Sequence, residues 1–381
     1  MSGLDRLRVE LGARSYDIVV GAALLEQAGA LMRPVLRQPR VIIVTDETVA
    51  RLHLARLEAA LDQAGIAHRS VILPPGEQTK DFPHFQKLVE DILALGIERR
   101  TALVALGGGV VGDLTGFAAA TLLRGIDYVQ IPPTLLAQVD SSVGGKTAID
   151  TRFGKNLVGA FYQPVLVLAD IDTLSTLPRR ELLAGYAEVV KYGLIRDRGF
   201  FDWLEREGPG LVAGDAASRR AAVLKSCAAK AEVVAADERE DGERALLNFG
   251  HTFGHALEVE TGFGDALLHG EAVGLGARLA FDLSVRLGLC PGEAAARVRR
   301  HFAAVGLPVE IAGIANARTF AADALLAHMR HDKKVQDGQI TLILARDIGQ
   351  AFISRDVPAG VLREFLAAET TKSLSRRSTA G

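Results

Sequence analysis

Through the first half of the chain, short runs of apolar and mostly β-branched residues alternate with stretches in which apolar positions recur every three to four residues. The runs at 41–45, 70–73, 102–106, 128–131 and 165–169 predict strands, and 8–11 with 16–20 predict a hairpin ahead of them. Amphipathic stretches at 47–64 and 82–95 predict helices between strands. This alternation implies a layered, Rossmann-like α/β domain with a largely parallel sheet.

Beyond about residue 177 the pattern changes to long alanine- and leucine-rich segments at 180–194, 216–237, 245–260 and 272–287, which predict a mainly helical domain. Two strand-like runs at 339–345 and 351–354 predict a hairpin within it. The organisation expected is an α/β domain over 1–176, a mainly helical domain over 177–369, and a polar, basic, Ser/Thr-rich tail over 370–381 without fixed structure.

A chain of 381 residues, 49% apolar, exceeds the ~250–300 residues at which single cores stop growing, which agrees with two domains. The formal net charge of −2 supplies no global field for nucleic acid or an anionic membrane, so charge-driven chemistry has to be local. The only two cysteines, Cys227 and Cys290, lie in helical patterns and argue against a disulfide framework or a thiolate zinc site. The N-terminal segment lacks an apolar core of signal-peptide length, and no charge-free run reaches the ~20 residues of a membrane span, so the expectation is a soluble, cytoplasmic protein.

Three regions concentrate chemistry. The first is Ala105-Leu-Gly107-Gly-Gly109-Val110-Val111-Gly112-Asp113, between a predicted strand and a predicted helix. Its glycines allow close backbone approach to a phosphate at the helix N-terminus, or else serve only tight strand-to-helix packing. It departs from the G-x-G-x-x-G spacing and by itself names no dinucleotide. The second is Gln138-Val-Asp140-Ser-Ser-Val-Gly144-Gly-Lys146, continuing through Asp150 to Gly154-Lys155-Asn156. Its lysines, Asp140 and Asn156 suit a phosphate and polyol hydroxyls; the plainer reading is a solvated loop. A Walker A loop would need glycine where Asp140 stands.

The third region, Asn248-Phe-Gly-His251-Thr-Phe-Gly-His255, puts two histidines four residues apart on one helical face. With His269 and with Glu188 in an apolar helical run, it suggests a catalytic zinc or similar ion with an open position. Spacing does not say which of His251 and His255 binds.

Taken together, Gly76-Glu-Gln-Thr-Lys80, the glycine-rich run from 107 to 117, the stretches 139–150 and 154–159, the helical block 185–193, the histidine block 246–258, 269–274 and Asp332-Lys333-Lys334 resemble, in family order, the 3-dehydroquinate synthases among the sugar phosphate cyclases. The resemblance runs from roughly residue 8 to residue 366. It implies Glu188, His251 and His269 as ligands of Zn2+ or Co2+, and His255 as a catalytic residue that does not coordinate. It implies NAD+ contacts at Asp46, Glu77, Lys80, Gly109, Val110, Val111, Gly112, Asp113, Thr134, Lys146, Lys155, Thr173 and Thr176. Substrate contacts would come from Asp140, Lys146, Asn156, Lys191, Arg244, Asn248 and Lys334, the last preferred over Lys333. Arg124 resembles the family arginine that reaches a neighbouring subunit's site, which implies a homodimer.

The implied activity is conversion of a sugar acid phosphate, 3-deoxy-D-arabino-heptulosonate 7-phosphate, to 3-dehydroquinate and phosphate. Transient NAD-dependent oxidation, phosphate elimination, re-reduction, ring opening and intramolecular aldol closure would follow one another. A departure is Pro133, where the family has a threonine before Thr134; proline carries neither hydroxyl nor N–H. The competing readings are a sister cyclase for another sugar phosphate, a metal-dependent polyol dehydrogenase, and a binding protein whose metal only staples helices.

Overall fold

A computed structural model of the protein describes residues 4–239, 242–262, 264–314, 320–330 and 340–377. The chain divides into two compact units, Met1–Pro178 with Gly214–Arg239, and Arg179–Ala213 with Glu240–Gly381.

The first unit is built on strands β1 (Asp5–Val9), β2 (Tyr16–Gly21), β3 (Arg40–Asp46), β4 (Ala67–Leu73), β5 (Ala102–Leu106) and β6 (Tyr128–Ile131), followed by β7 (Lys146–Thr151), β8 (Gly154–Phe161) and β9 (Leu166–Asp170). Seven of them form one sheet in the order β1-β2-β9-β6-β5-β3-β4, parallel throughout except for the β1–β2 hairpin. Its central strands read as unbroken apolar runs because both faces are covered. Val41 and Ile43, with Ala102, Val104 and Leu106, face helices α1 (Leu24–Met32) and α3 (Ala55–Gln63). The alternate residues Ile42, Val44, Leu103 and Ala105 face α4 (Phe82–Ala94) and α5 (Gly109–Thr121). A three-residue turn, α2 (Glu47–Val49), leads through a π-helical stretch into α3.

From β3 the chain adds β4 on one side and then returns to add β5 on the other. The winding therefore reverses between β3 and β5, and the crevice at the carboxyl ends of these strands is where open α/β sheets take ligands. Strands β7 and β8 pair with each other outside the main sheet, so the glycine- and lysine-rich stretch is a hairpin rather than a solvated loop.

The second unit contains α6 (Arg179–Ile195) and α7 (Arg198–Ala213), then, after the segment given to the first unit, α9 (His251–Thr261), α10 (His269–Arg286), α11 (Gly292–Val305), α12 (Ala322–Arg330) and α13 (Ala359–Arg377). The hairpin β10 (Leu342–Ala345) with β11 (Ala351–Ser354) completes it. The intervening α8 (Ala216–Ala236), read from sequence as part of the helical half, belongs to the first unit: Arg220 pairs with Asp5 at 2.7 Å and Lys230 with Asp140.

Two further expectations change. The segment 245–260 is not one helix. A 3-10 turn over Glu243–Asn248 is divided from α9 by Gly250, which takes φ +81° and where a side chain would press on Val273 and Ala277 of α10. The tail expected from 370 is helical as far as Arg377, and just before it Glu369 pairs with the buried Arg278 of α10. Among the described residues, no helix is long and apolar enough to cross a membrane.

Candidate functional site

In the first unit, the residues expected to meet the dinucleotide gather at the carboxyl end of the sheet. Asp46 closes β3 and accepts hydrogen bonds through Oδ1 from the amides of Thr48 and Val49, at 2.8 and 3.0 Å, as the cap of the following turn. After β5, the first intrahelical bond of α5 runs from Gly112 N to Gly108 O. The amides of Gly109, Val110 and Val111 therefore lie at a helix N-terminus, which favours phosphate. The packing reading holds at one neighbouring position, since a side chain on Gly107 would overlap Val111. Gly109 and Gly108 carry no such overlap.

Beside this terminus, the buried Lys80 ammonium touches Asp113 and donates to Asn156 Oδ1 at 2.5 Å. Asn156, held at φ +56°, donates its backbone N–H to Asp150, and Lys155 lies 3.4 Å from Glu77. Burial alone would lower the Lys80 pKa, but Asp113, Glu77 and Asp150 outweigh it and hold the value above that of an ordinary lysine. Burial pushes the Asp113 carboxyl up against the opposing pull of Lys80. Six residues widely spaced in sequence thus form one charged network.

The threonines are engaged locally. Thr134 Oγ1 accepts from Ala137 N at 3.2 Å, and the fully buried Thr173 donates to Asp170 O at 2.7 Å. Thr176 donates to Thr173 O at 2.8 Å and lies 3.1 Å from His53 Nε2. Asp140 is held by Lys230, whose Nζ donates to both its carbonyl and its carboxylate, at 2.5 and 2.8 Å. Lys146 is exposed, as is Arg124, which sits at φ +69° in a turn with Leu123 at +50° and Gly125 at +118°.

The second unit brings together the residues expected at a metal. Helix α6 presents Glu188 and Lys191, α9 presents His251, His255 and Glu258 along one face, and His269 is the first residue of α10. Close approach of α10 to α6 depends on Gly270, where any Cβ would fall 1.9 Å from Ala184 O. Glu188 is fully buried, and among the described residues neither carboxylate oxygen accepts a hydrogen bond, although the Lys191 ammonium lies against Oε2. Its Oε1 is 3.7 Å from His251 Nε2 and 3.9 Å from His269 Nε2. Donors roughly 2.1 Å from an ion at tetrahedral angles stand roughly 3.4 Å apart, so these three atoms fit one divalent ion.

His255 falls outside this triplet. It groups instead with Glu258 and His269, and its ring lies 5.4 Å from that of His251. Arg244 is buried in the 3-10 turn and Asn248 ends it. Lys334 and Lys333 lie outside the described residues.

Two residues of these clusters escaped sequence reasoning, Lys230 and Glu258. Each is a single charged residue on a helical pattern, where a solvated role is the default expectation. The available signal was position: Glu258 follows His251 and His255 at helical spacing.

Family models described as 3-dehydroquinate synthase N-terminal and C-terminal match residues 70–184 and 185–335. The chain is 62% identical over 363 residues to the 3-dehydroquinate synthase of Rhodospirillum rubrum, covering 95% of this chain and 94% of that one. Among solved structures it is similar to the 2-epi-5-epi-valiolone synthase ValA of Streptomyces hygroscopicus with NAD+ and Zn2+ bound, at TM-score 0.86 and 30% identity over 95% and 99% of the two chains. It is similar also to a 2-deoxy-scyllo-inosose synthase complexed with carbaglucose-6-phosphate, NAD+ and Co2+, at TM-score 0.85 and 26% identity over 96% and 100%.

Proposed function

Because the chain belongs to the 3-dehydroquinate synthase family, we propose that it converts 3-deoxy-D-arabino-heptulosonate 7-phosphate to 3-dehydroquinate and phosphate with the residues gathered in its two units. The observation that carries the assignment is Glu188, a fully buried carboxylate whose Oε2 is covered by Lys191 while its Oε1 faces two imidazole nitrogens. A buried carboxylate oxygen flanked by two imidazole nitrogens is the donor set that a divalent ion takes.

Glu188, His251 and His269 would hold a divalent ion, Zn2+ or Co2+, and the amides of Gly109, Val110 and Val111 with the Lys80 network would hold NAD+. When bound, the dinucleotide supplies a reversible hydride acceptor and the ion a Lewis acid at the carbinol to be oxidised. The chain's own groups do the rest. Lys146, Lys191, Arg244 and Lys334 bind the substrate's phosphate and carboxylate through charge-assisted hydrogen bonds, while Asp140, Asn156 and Asn248 orient its hydroxyls. Lys230 holds Asp140 in place for that task. His255, beside the ion's ligands but outside the triplet, moves protons during elimination. Arg124, exposed on a turn of successive positive φ values, would reach the site of a second copy in a homodimer, as the resemblance implies. An enzyme of biosynthesis fits a cytoplasmic location.

The test is phosphate release from the heptulosonate phosphate with substoichiometric NAD+, with metal present or chelated. Product far in excess of NAD+, no accumulation of NADH, and loss of turnover on chelation are expected. Production of one NADH per substrate would overturn the assignment in favour of a dehydrogenase.

A further inference from the structure

The face of α9 that carries His251 and His255 continues to Glu258, seven residues beyond the first, and there the helix buries a carboxylate at 4% exposure. An apolar side chain would fill that position at less cost, since burying a carboxylate is unfavourable without compensation. Glu258 Oε2 lies 3.1 Å from His269 Nδ1, within hydrogen-bonding distance. The other nitrogen of the same ring, Nε2, is the one directed toward Glu188. The two nitrogens of His269 therefore face two different carboxylates.

His251 is arranged differently, its Nδ1 facing the backbone carbonyl of Phe249 at 3.3 Å. A neutral acceptor at that distance fixes a ring weakly. A charged acceptor fixes the tautomer with the proton on Nδ1, aims Nε2, and raises the donor strength of the imidazole.

We infer that Glu258 is a positioning residue: by accepting the Nδ1 proton of His269 it fixes that ring as a ligand and makes it the stronger of the two histidine donors. The inference rests on the reading that Glu188, His251 and His269 hold the ion. Glu258 itself touches neither substrate nor ion, and it acts only through His269.

The test uses the full chain stripped of metal and titrated with Zn2+ against a chromophoric chelator, and separately with Co2+ followed by its visible d–d absorption. Glu258→Gln keeps the shape and an acceptor oxygen but removes the charge. It is expected to fold with a wild-type thermal transition, to bind Zn2+ roughly 10–100-fold more weakly, and to shift the Co2+ band. Glu258→Leu, which removes the acceptor altogether, is expected to lose more. A purely structural role would change the thermal transition and leave the Co2+ spectrum of the folded protein as it was. His251→Ala distinguishes the inference from its premise. If His251→Ala retains Zn2+ at full affinity, the ligand set is wrong. If it loses Zn2+ while Glu258→Gln matches wild type in affinity and spectrum, the ligand set stands and the positioning role falls. Two Zn2+ ions per wild-type chain would make Glu258 a ligand, together with His255, and would also overturn the inference.

Discussion

Replacing His251 and His255 one at a time separates two rings that sequence spacing makes equivalent. The perturbation at His251 removes a donor whose Nε2 stands 3.7 Å from Glu188 Oε1, whereas the one at His255 removes a ring outside that triplet. Apparent binding free energies for structural zinc run to ~10–16 kcal/mol, so each of four donors is worth roughly 2.5–4 kcal/mol. His251→Ala should therefore weaken Zn2+ binding by ~10²–10³-fold. His255→Ala should leave Zn2+ affinity near wild type and cut turnover by roughly 10²–10⁴-fold, the usual worth of a proton-transfer group. Metal content after dialysis against a chelator of set strength, read beside phosphate release at saturating metal, gives both quantities from the same preparations. Equal loss of metal in the two variants would mean that both rings coordinate, and the catalytic role of His255 would fall.

Lys80→Met removes the cation that touches Asp113 and Asn156, and at ~1.5–3 kcal/mol for a hydrogen bond to a charged group the NAD+ dissociation constant should rise roughly 10–100-fold by fluorescence titration. Glu369→Ala leaves the buried Arg278 guanidinium with Asp282 as its remaining carboxylate, so the cost by urea denaturation should be about 3 kcal/mol, at the low end for a broken buried pair. Arg278→Met combined with Glu369→Leu should recover most of it. His301, buried against Tyr186 Oη at 2.9 Å, has its pKa lowered to about 4 by burial. A depressed folded value means stability that is full above the unfolded value near 6.5 and is lost as the pH falls toward 4. At about 1.4 kcal/mol per pH unit the loss is on the order of 3 kcal/mol, and His301→Gln should abolish that part of the acid profile.

How much of this was legible in the sequence depended on whether an element's partners lay nearby along the chain. Strands β3, β5, β6 and β9 announce themselves because a parallel strand covered on both faces needs an apolar run, and residues 41–45 and 102–106 supply one. Strands β7 and β8 do not. Their glycines, lysines and half-exposed alternation are those of a loop, and only their mutual pairing makes them strands. The break at Gly250 is hidden because its cause is the backbone of α10, some twenty residues on. Glu188, His251 and His269 were recognisable as types suited to a metal, yet the exclusion of His255 from the triplet is a matter of helix packing. Lys230 was illegible for the same reason, and Glu258 offered only its helical spacing from the two histidines, since each gains its meaning from contacts across the fold. The helical course of residues 370–377 continues α13 beyond the Glu369–Arg278 pair, which the composition of the tail does not announce.

The assignment of α8 to the first unit bears on the order in which the protein can be made. A ribosome that has finished Pro178 has produced every strand of the main sheet, but not the helix that supplies Lys230 to Asp140, Cys227 to the carbonyl of Gln138, and Arg220 to Asp5. Those partners wait while α6 and α7, which belong to the other unit, are synthesised first. The first unit is therefore complete only after Arg239 has emerged. A nascent chain halted at Pro178, or a gene cut there, would carry every strand of the main sheet but not the lysine that holds Asp140.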